Sequence, residues 1–143
     1  MLRFPYPSEL VGVAVRWRPV ARVNIVGPRG SRRYKALFDP GSDDTVFPLA
    51  IVPRIGASLR PDTGERLRWR GQVYPLRFGD VELELTDSVS VWRWPATVGF
   101  STAPIQYVLL GTRGCLQFCD AMFRGDDRFV ELEPNRSYPG SIT

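Results

Sequence analysis

The chain contains no histidine, and this absence removes several classes of enzyme at once. Ser-His and Cys-His nucleophile pairs, histidine-ligated zinc and imidazole acid–base catalysis all require that side chain. Carboxylates are the strongest remaining candidates for acid–base chemistry. Cysteine is scarce as well. Cys115 and Cys119 have no second ligand pair, so we expect two reduced, partly buried thiols and no metal site.

Long apolar runs are also missing. No stretch reaches the roughly 18 apolar residues that cross a membrane, and the first residues lack the basic-then-apolar layout of a secretory signal. We therefore expect a cytoplasmic protein with no membrane partner. A length of 143 residues at 43% hydrophobic content suits a single domain, residues 1–143. Its core is expected over about 23–132, with a loosely ordered tail over 133–143.

Lysine is almost absent, with Lys35 the only one. The net charge of +4 therefore comes from arginines, which are spread along the chain. The densest basic patch comprises Arg29, Arg32, Arg33 and Lys35. A basic β-barrel that binds nucleic acid through this patch is one hypothesis, and it predicts an affinity that falls steeply with salt. The aromatic residues do not interleave with the patch as a stacking platform requires, so this hypothesis ranks last.

What the sequence does contain is repeated alternation of apolar and polar residues, which is typical of β-strands with one wet face. In the first part of the chain we expect two strands over 10–26, a third over 34–38, a short helix or turn over 49–55 and a hairpin over 66–78. After it we expect strands over 81–85 and 88–94, a loop over 97–104, a buried run over 105–111, a helix over 112–118 and a closing hairpin over 120–132. The helix over 112–118 would contain Cys115 and be capped by Thr112. The chain is therefore predicted to be all-β.

One stretch carries a specific chemical signal. An apolar strand delivers Asp39 into a turn with Pro40, Gly41 and Ser42, and the chain becomes apolar again after Thr45. Downstream, the apolar run ends in Leu110-Gly111. This order resembles the retropepsin-like aspartic proteases, the retroviral enzymes and their bacterial relatives, whose signature is Asp-Thr/Ser-Gly-Ala/Ser. Asp39 aligns with the catalytic aspartate of that family, and Leu110-Gly111 with its second landmark.

The resemblance implies a closed β-barrel or sandwich with a flap hairpin and one short helix near the C-terminus. It also implies an aspartic endopeptidase. Because the chain has a single motif, a homodimer would have to supply the second carboxylate of the dyad that activates water. The flap would comprise Arg68, Trp69, Arg70, Gly71 and Gln72, closing over a peptide or protein substrate. No cofactor and no metal are expected, and the neighbouring Asp43 and Asp44 lack the spacing of a calcium loop.

The signature departs from the family at Pro40, which stands where the family has Thr or Ser. In the family this hydroxyl bonds to the partner subunit, and proline has neither a hydroxyl nor a backbone N–H. The alternative hypothesis is therefore a catalytically inactive retropepsin fold that serves as a peptide-binding or dimerisation module. The flap also departs, since one glycine and a Trp69 between two arginines replace a glycine-rich tip.

Overall fold

A computed structural model describes all 143 residues and confirms the all-β prediction. The strands are β1 (Leu2–Pro5), β2 (Ser8–Val11), β3 (Ala14–Trp17), β4 (Val20–Gly27), β5 (Gly30–Phe38), β6 (Val46–Pro48), β7 (Arg66–Trp69), β8 (Gln72–Thr86), β9 (Val91–Ser101), β10 (Val108–Leu110), β11 (Cys119–Arg124), β12 (Phe129–Pro134) and β13 (Ser141–Ile142). The single α-helix, α1, is Val52–Ile55, preceded by a 3-10 turn at Leu49–Ile51. None of the helical segments is long and apolar enough to cross a membrane.

The main sheet has eight strands in the order β13-β9-β6-β10-β5-β4-β8-β7. Strand β8 also pairs along its length with β9, from Leu76 opposite Ser101 to Thr86 opposite Val91. This extra pairing joins two distant positions of the sheet, so six strands form a closed ring. Inward-facing apolar side chains fill the ring, among them Val23, Ile25 and Leu83, which are fully buried. Alternate residues face outward and are polar, as expected for a sheet with one wet face.

Strand β10 lies between the two strands that flank the Asp39 turn. It runs parallel to β5, with Leu110 opposite Phe38, and antiparallel to β6, with Leu109 opposite Val46. The polypeptide that leaves β5 therefore returns on the other side of β10. This crossing fixes the turn between β5 and β6 against the end of β10.

Two smaller sheets flank the ring. Strand β12 pairs with β1 on one side and β11 on the other, which confirms the predicted closing hairpin and adds an N-terminal strand that sequence alone did not predict. Strands β2 and β3 form a hairpin that pairs only with itself. Residues 10–26 were predicted as two strands, and the structure divides them among β2, β3 and β4.

Two predicted interruptions of the main sheet were wrong. Strand β8 continues through Gly79, where the missing side chain serves close packing, because a Cβ there would lie 2.8 Å from the backbone oxygen of Ser58. Strand β9 continues through Pro95 to Ser101, so most of the predicted loop over 97–104 is strand. Pro95 falls between the stretches of β9 that pair with β13 and with β6, where a residue without an N–H is tolerated.

The predicted C-terminal helix over 112–118 was also wrong. Only a 3-10 turn, Leu116–Phe118, forms there, because Gly114 adopts a left-handed φ of 94° and its N–H donates to the Gln117 side chain. Cys115 and Cys119 are free and buried, beside this turn and at the start of β11 rather than in a helix. Burial raises the pKa of both thiols, that of Cys119 to about 11.

The C-terminal residues include strand segments that the sequence did not predict. Residues 133 and 134 belong to β12, and β13 pairs with Trp92 and Arg93 of β9. Tyr138 packs against Trp92 with ring centroids 5.2 Å apart. Burial raises the pKa of the Tyr138 hydroxyl to about 12. The segment over 133–143 therefore contacts the main sheet through β13 and Tyr138, although none of its residues is fully buried.

Candidate active site

The turn that follows β5 holds Asp39 in a half-buried position at the edge of a cleft. The backbone N–H of Asp39 donates to the carbonyl of Leu110 at 3.0 Å, which attaches the start of the turn to β10. Oδ1 of Asp39 accepts a hydrogen bond from the Gly41 N–H at 3.0 Å, and the Ser42 N–H donates to the Asp39 carbonyl at 3.1 Å. The carboxylate is therefore held through one oxygen, and its second oxygen has no protein partner.

Gly111 lies directly beneath this turn and has no room for a side chain. A Cβ there would be 2.3 Å from the carbonyl oxygen of Asp44 and 2.6 Å from that of Ser42. Because only hydrogen occupies this space, the backbone beyond β10 can pair with the turn. Thr112 donates to the Ser42 carbonyl at 3.0 Å, and Arg113 donates to the Asp43 carbonyl at 2.9 Å.

Thr45 is fully buried and connects the turn to Gly111 and Arg113 beyond β10 and to Gly99 of β9. Its hydroxyl accepts a hydrogen bond from the Gly111 N–H at 3.3 Å, and its backbone N–H donates to the Arg113 carbonyl at 3.0 Å. The Gly99 N–H of β9 donates to the Thr45 carbonyl at 2.8 Å. Thr45 therefore supports the turn structurally and does not face the cleft.

The predicted hairpin forms the opposite wall of the cleft. Strands β7 and β8 pair from Arg66 opposite Pro75 to Trp69 opposite Gln72. The two turn residues, Arg70 and Gly71, have φ values of 49° and 79°. Positive φ at both positions is typical of the tight two-residue turn that matches strand twist. The hairpin is therefore a well-formed arm that projects from the ring.

The turn and the hairpin together enclose a cleft of about 330 Å³. The residues that line it are Asp39, Gly41, Ser42, Asp43, Asp44, Arg66, Leu67, Arg68, Trp69, Leu76 and Leu109. Of the predicted site residues, the cleft brings together Asp39, Gly41 and Ser42 of the turn with Arg68 and Trp69, but not Pro40 or Thr45. Pro40 is exposed outside it, and Arg70, Gly71 and Gln72 are at the hairpin tip. Leu110 is fully buried and, with Gly111, lies beneath the turn.

Two cleft residues on the hairpin also contact an apolar floor. Leu67 and Trp69 pack against a small buried cluster of Val46, Leu76, Phe78 and Leu109. The indole N–H of Trp69 is buried there without a hydrogen-bond partner. A buried donor without a partner costs about 1–3 kcal/mol. Trp69 therefore stabilises this contact less than an all-carbon ring of similar shape would.

Charge is divided between the two walls, with carboxylates on the turn side and the guanidinium groups of Arg66 and Arg68 on the hairpin side. Burial raises the pKa of Asp44, and the Arg113 guanidinium at 3.2 Å from its carboxylate opposes this only in part. Arg113 also lies 4.5 Å above the Phe78 ring and 3.7 Å from Glu65. Asp44 is thus tied to a structural ion pair.

Sequence reasoning did not assign Arg113, Arg66, Leu67, Leu76 or Leu109 to the site. One signal was available for Arg113, which follows Gly111 by two positions and so returns beside the turn once β10 is placed. The apolar residues gave no such signal, because Leu76 and Leu109 read as ordinary strand residues.

No known family model matches this sequence, and no curated protein matches it at a significant level. What the site does must therefore be inferred from its own geometry and chemistry.

Proposed function

We propose that this chain is a retropepsin-like aspartic endopeptidase that acts as a homodimer on extended peptide segments. The observation that carries the proposal is the position of Asp39. It projects from a glycine-containing turn that is fixed to the Leu110-Gly111 end of β10, and it faces a hairpin across an open cleft. Retropepsin-like proteases present their catalytic carboxylate from a turn of this kind.

The chemistry requires a second carboxylate close to Asp39. Two such groups share one proton because like charges at contact distance cannot both ionise, so one activates a water molecule as base while the other donates a proton to the substrate. Asp43 and Asp44 lie in the same cleft, but Asp44 is engaged by Arg113. A second copy of Asp39 across a two-fold axis is the arrangement that supplies a symmetric pair.

Substrate would bind between the turn and the hairpin. An extended peptide offers backbone N–H and carbonyl groups to the exposed edges of the cleft, as in other cases where a peptide adds a strand. Arg66 and Arg68 on the hairpin favour acidic side chains, and the apolar floor beneath Trp69 favours an apolar one. We expect mixed acidic and apolar peptides to be the preferred substrates.

A second candidate function is favoured by Pro40. This residue is exposed beside Asp39 and has no group that can hydrogen-bond to a partner subunit except its carbonyl. In the family, a Thr or Ser hydroxyl at this position bonds to the partner subunit. Without these hydrogen bonds the two Asp39 turns of a dimer would be held together less firmly, by about 0.5–1.5 kcal/mol for each bond lost. In that case the chain would be a peptide-binding or dimerisation module with little or no catalysis.

The test is cleavage of a degenerate peptide library at mildly acidic pH, followed by mass spectrometry. The proposal predicts cleavage by the wild type, none by Asp39→Asn, and full cleavage by the control Asp126→Asn, whose residue is exposed in the turn between β11 and β12. Equal cleavage by wild type and Asp39→Asn would contradict an aspartic mechanism at this residue.

The two candidates are separated by peptide binding and by one further variant. A silent module would bind library peptides as wild type and as Asp39→Asn, without cleaving them. Pro40→Thr restores the family hydroxyl, and the module hypothesis predicts that it gains cleavage or tighter dimerisation. If Pro40→Thr changes neither, Pro40 is not the reason for any lack of activity.

A further inference from the structure

The hairpin of residues 8–17, here called the N-terminal hairpin, concentrates exposed apolar surface. Five of the eleven large apolar side chains that are exposed in this protein lie within it: Leu10 at 75%, Val11 at 43%, Val13 at 103%, Val15 at 55% and Trp17 at 44% exposed. Large clusters of this kind are uncommon on monomeric proteins and mark interaction sites. The N-terminal hairpin is therefore a surface that needs a partner.

The register of the hairpin places three of these side chains on one face. Leu10 lies opposite Val15, and Ser8 lies opposite Trp17, so that Leu10, Val15 and Trp17 share a side of the two-stranded ribbon. The base of the ribbon is attached to the body of the protein. The Arg128 guanidinium lies 3.8 Å above the Trp17 ring, and the Tyr107 hydroxyl donates to Glu9. The tip around Val13 has no such contacts and stands free.

The hairpin lies at the Asp39 end of the ring. Its exit at Pro19 accepts a hydrogen bond from the Phe38 N–H at 2.9 Å, one residue before the catalytic turn. Its contact residue Tyr107 directly precedes β10 and lies two positions before Leu109, which lines the cleft. The hairpin is therefore attached at the same end of β5 as the Asp39 turn.

We propose that the N-terminal hairpin packs against a second copy of this chain and holds two Asp39 turns together. This inference rests on the proposed function, since a shared dyad is incomplete without that copy. Within residues 8–17 there is one acidic and one basic residue, so the hairpin has no net charge. That composition suits an apolar protein surface and is unsuited to an anionic membrane or a nucleic acid, which attract clustered basic residues.

A dimer of this chain needs apolar contact beyond the two Asp39 turns, and the N-terminal hairpin can supply it. A stable dimer buries about 800 Å² on each partner, which two facing turns do not supply. Two copies that each carry +4 also repel one another, so apolar contact has to provide the attraction.

The test measures the dimer dissociation constant by sedimentation equilibrium for the wild type and single variants. Leu10→Asp and Val13→Asp each place a charge at a position that is exposed in the monomer, so neither should disturb folding. We expect each to raise the dissociation constant about tenfold or more, as removal of a central contact does. The matched control is Val89→Asp, which changes an equally apolar side chain, 88% exposed, in the turn between β8 and β9. It should leave the constant unchanged.

Each result has a distinct meaning when it is read beside the cleavage assay. A dimer that the hairpin variants do not weaken would overturn the inference and leave the protease proposal intact. Tighter association of the variants would also overturn it, because the hairpin would then be shielding the interface. A wild type that stays monomeric would overturn both proposals. A hairpin-dependent dimer that cleaves no peptide would support the inference and count against the protease.

Discussion

Gly111→Ala is the substitution that most directly probes how the candidate active site is built. The added methyl group would lie 2.3 Å and 2.6 Å from the carbonyl oxygens of Asp44 and Ser42, whereas real Cβ atoms essentially never come closer than 3.0 Å to a neighbour. Both obstacles are backbone atoms and cannot rotate away. The turn and the end of β10 must therefore separate by about 0.7 Å or more.

The loss in free energy of unfolding has two sources, the overpacked contact and two stretched hydrogen bonds. Overpacking of a close contact costs about 1–3 kcal/mol. The separation also stretches the Thr112 to Ser42 and Arg113 to Asp43 hydrogen bonds, now 3.0 and 2.9 Å, each worth about 1 kcal/mol. We expect Gly111→Ala to lower the free energy of unfolding by about 3 kcal/mol, a large fraction of the 5–15 kcal/mol typical of a domain.

Urea unfolding followed by tryptophan fluorescence measures this change. The matched control is Gly125→Ala in the turn between β11 and β12, where a Cβ would meet nothing within 4 Å and φ is not positive. Gly125→Ala should leave stability within about 0.5 kcal/mol of wild type. A similarly small change for Gly111→Ala would refute the close crossing of turn and β10.

Three further predictions concern single side chains. Thr45→Val removes the buried acceptor of the Gly111 N–H and should destabilise by about 1–3 kcal/mol in urea unfolding, whereas Thr45→Ser, which keeps the hydroxyl, should cost less. Trp69→Phe removes an unsatisfied indole N–H and should unfold at the same or a higher urea concentration than wild type, and a clear fall in that concentration would contradict this prediction. Although burial raises the pKa of Asp87, hydrogen bonds from the backbone N–H groups of Ser90, Val89 and Arg3 lower it more, so the net pKa is below the usual value. That lowered pKa stabilises the fold above about pH 4, and this stability is lost as the pH falls through the folded-state pKa. In acid unfolding, Asp87→Asn should therefore make the free energy of unfolding fall less steeply with decreasing pH than in the wild type. An acid transition unchanged by Asp87→Asn would contradict this role of Asp87.

Much of the strand content could be predicted because alternation is a local property. The hairpin of β7 and β8 needs only a two-residue turn that tolerates positive φ, and the sequence Arg70-Gly71 provides it. The Asp39 turn was also visible, since an apolar strand on each side of Asp-Pro-Gly-Ser leaves few other structures. These features depend on residues that are close in sequence.

The errors arose where distant residues decide the structure. Gly79 resembles a turn glycine, yet it is there because Ser58 approaches the strand closely. The segment over 112–118 has a helical composition, but Gly114 is left-handed and packs against Thr45 and Thr97. Leu109 lines the cleft, and Arg113 pairs with Asp44 beside it, only because β10 inserts between β5 and β6. None of these contacts is encoded in a local pattern.

The central claim is that two copies of Asp39 form one catalytic site, and a mixing experiment tests it most directly. A fixed amount of wild type is allowed to exchange subunits with an equal amount of Asp39→Asn before peptide cleavage is measured. If the dyad is shared, random pairing leaves cleavage at about half of its value without the variant, and excess variant drives it towards zero. Cleavage that stays unchanged at every ratio would show that one chain is sufficient and would contradict the account.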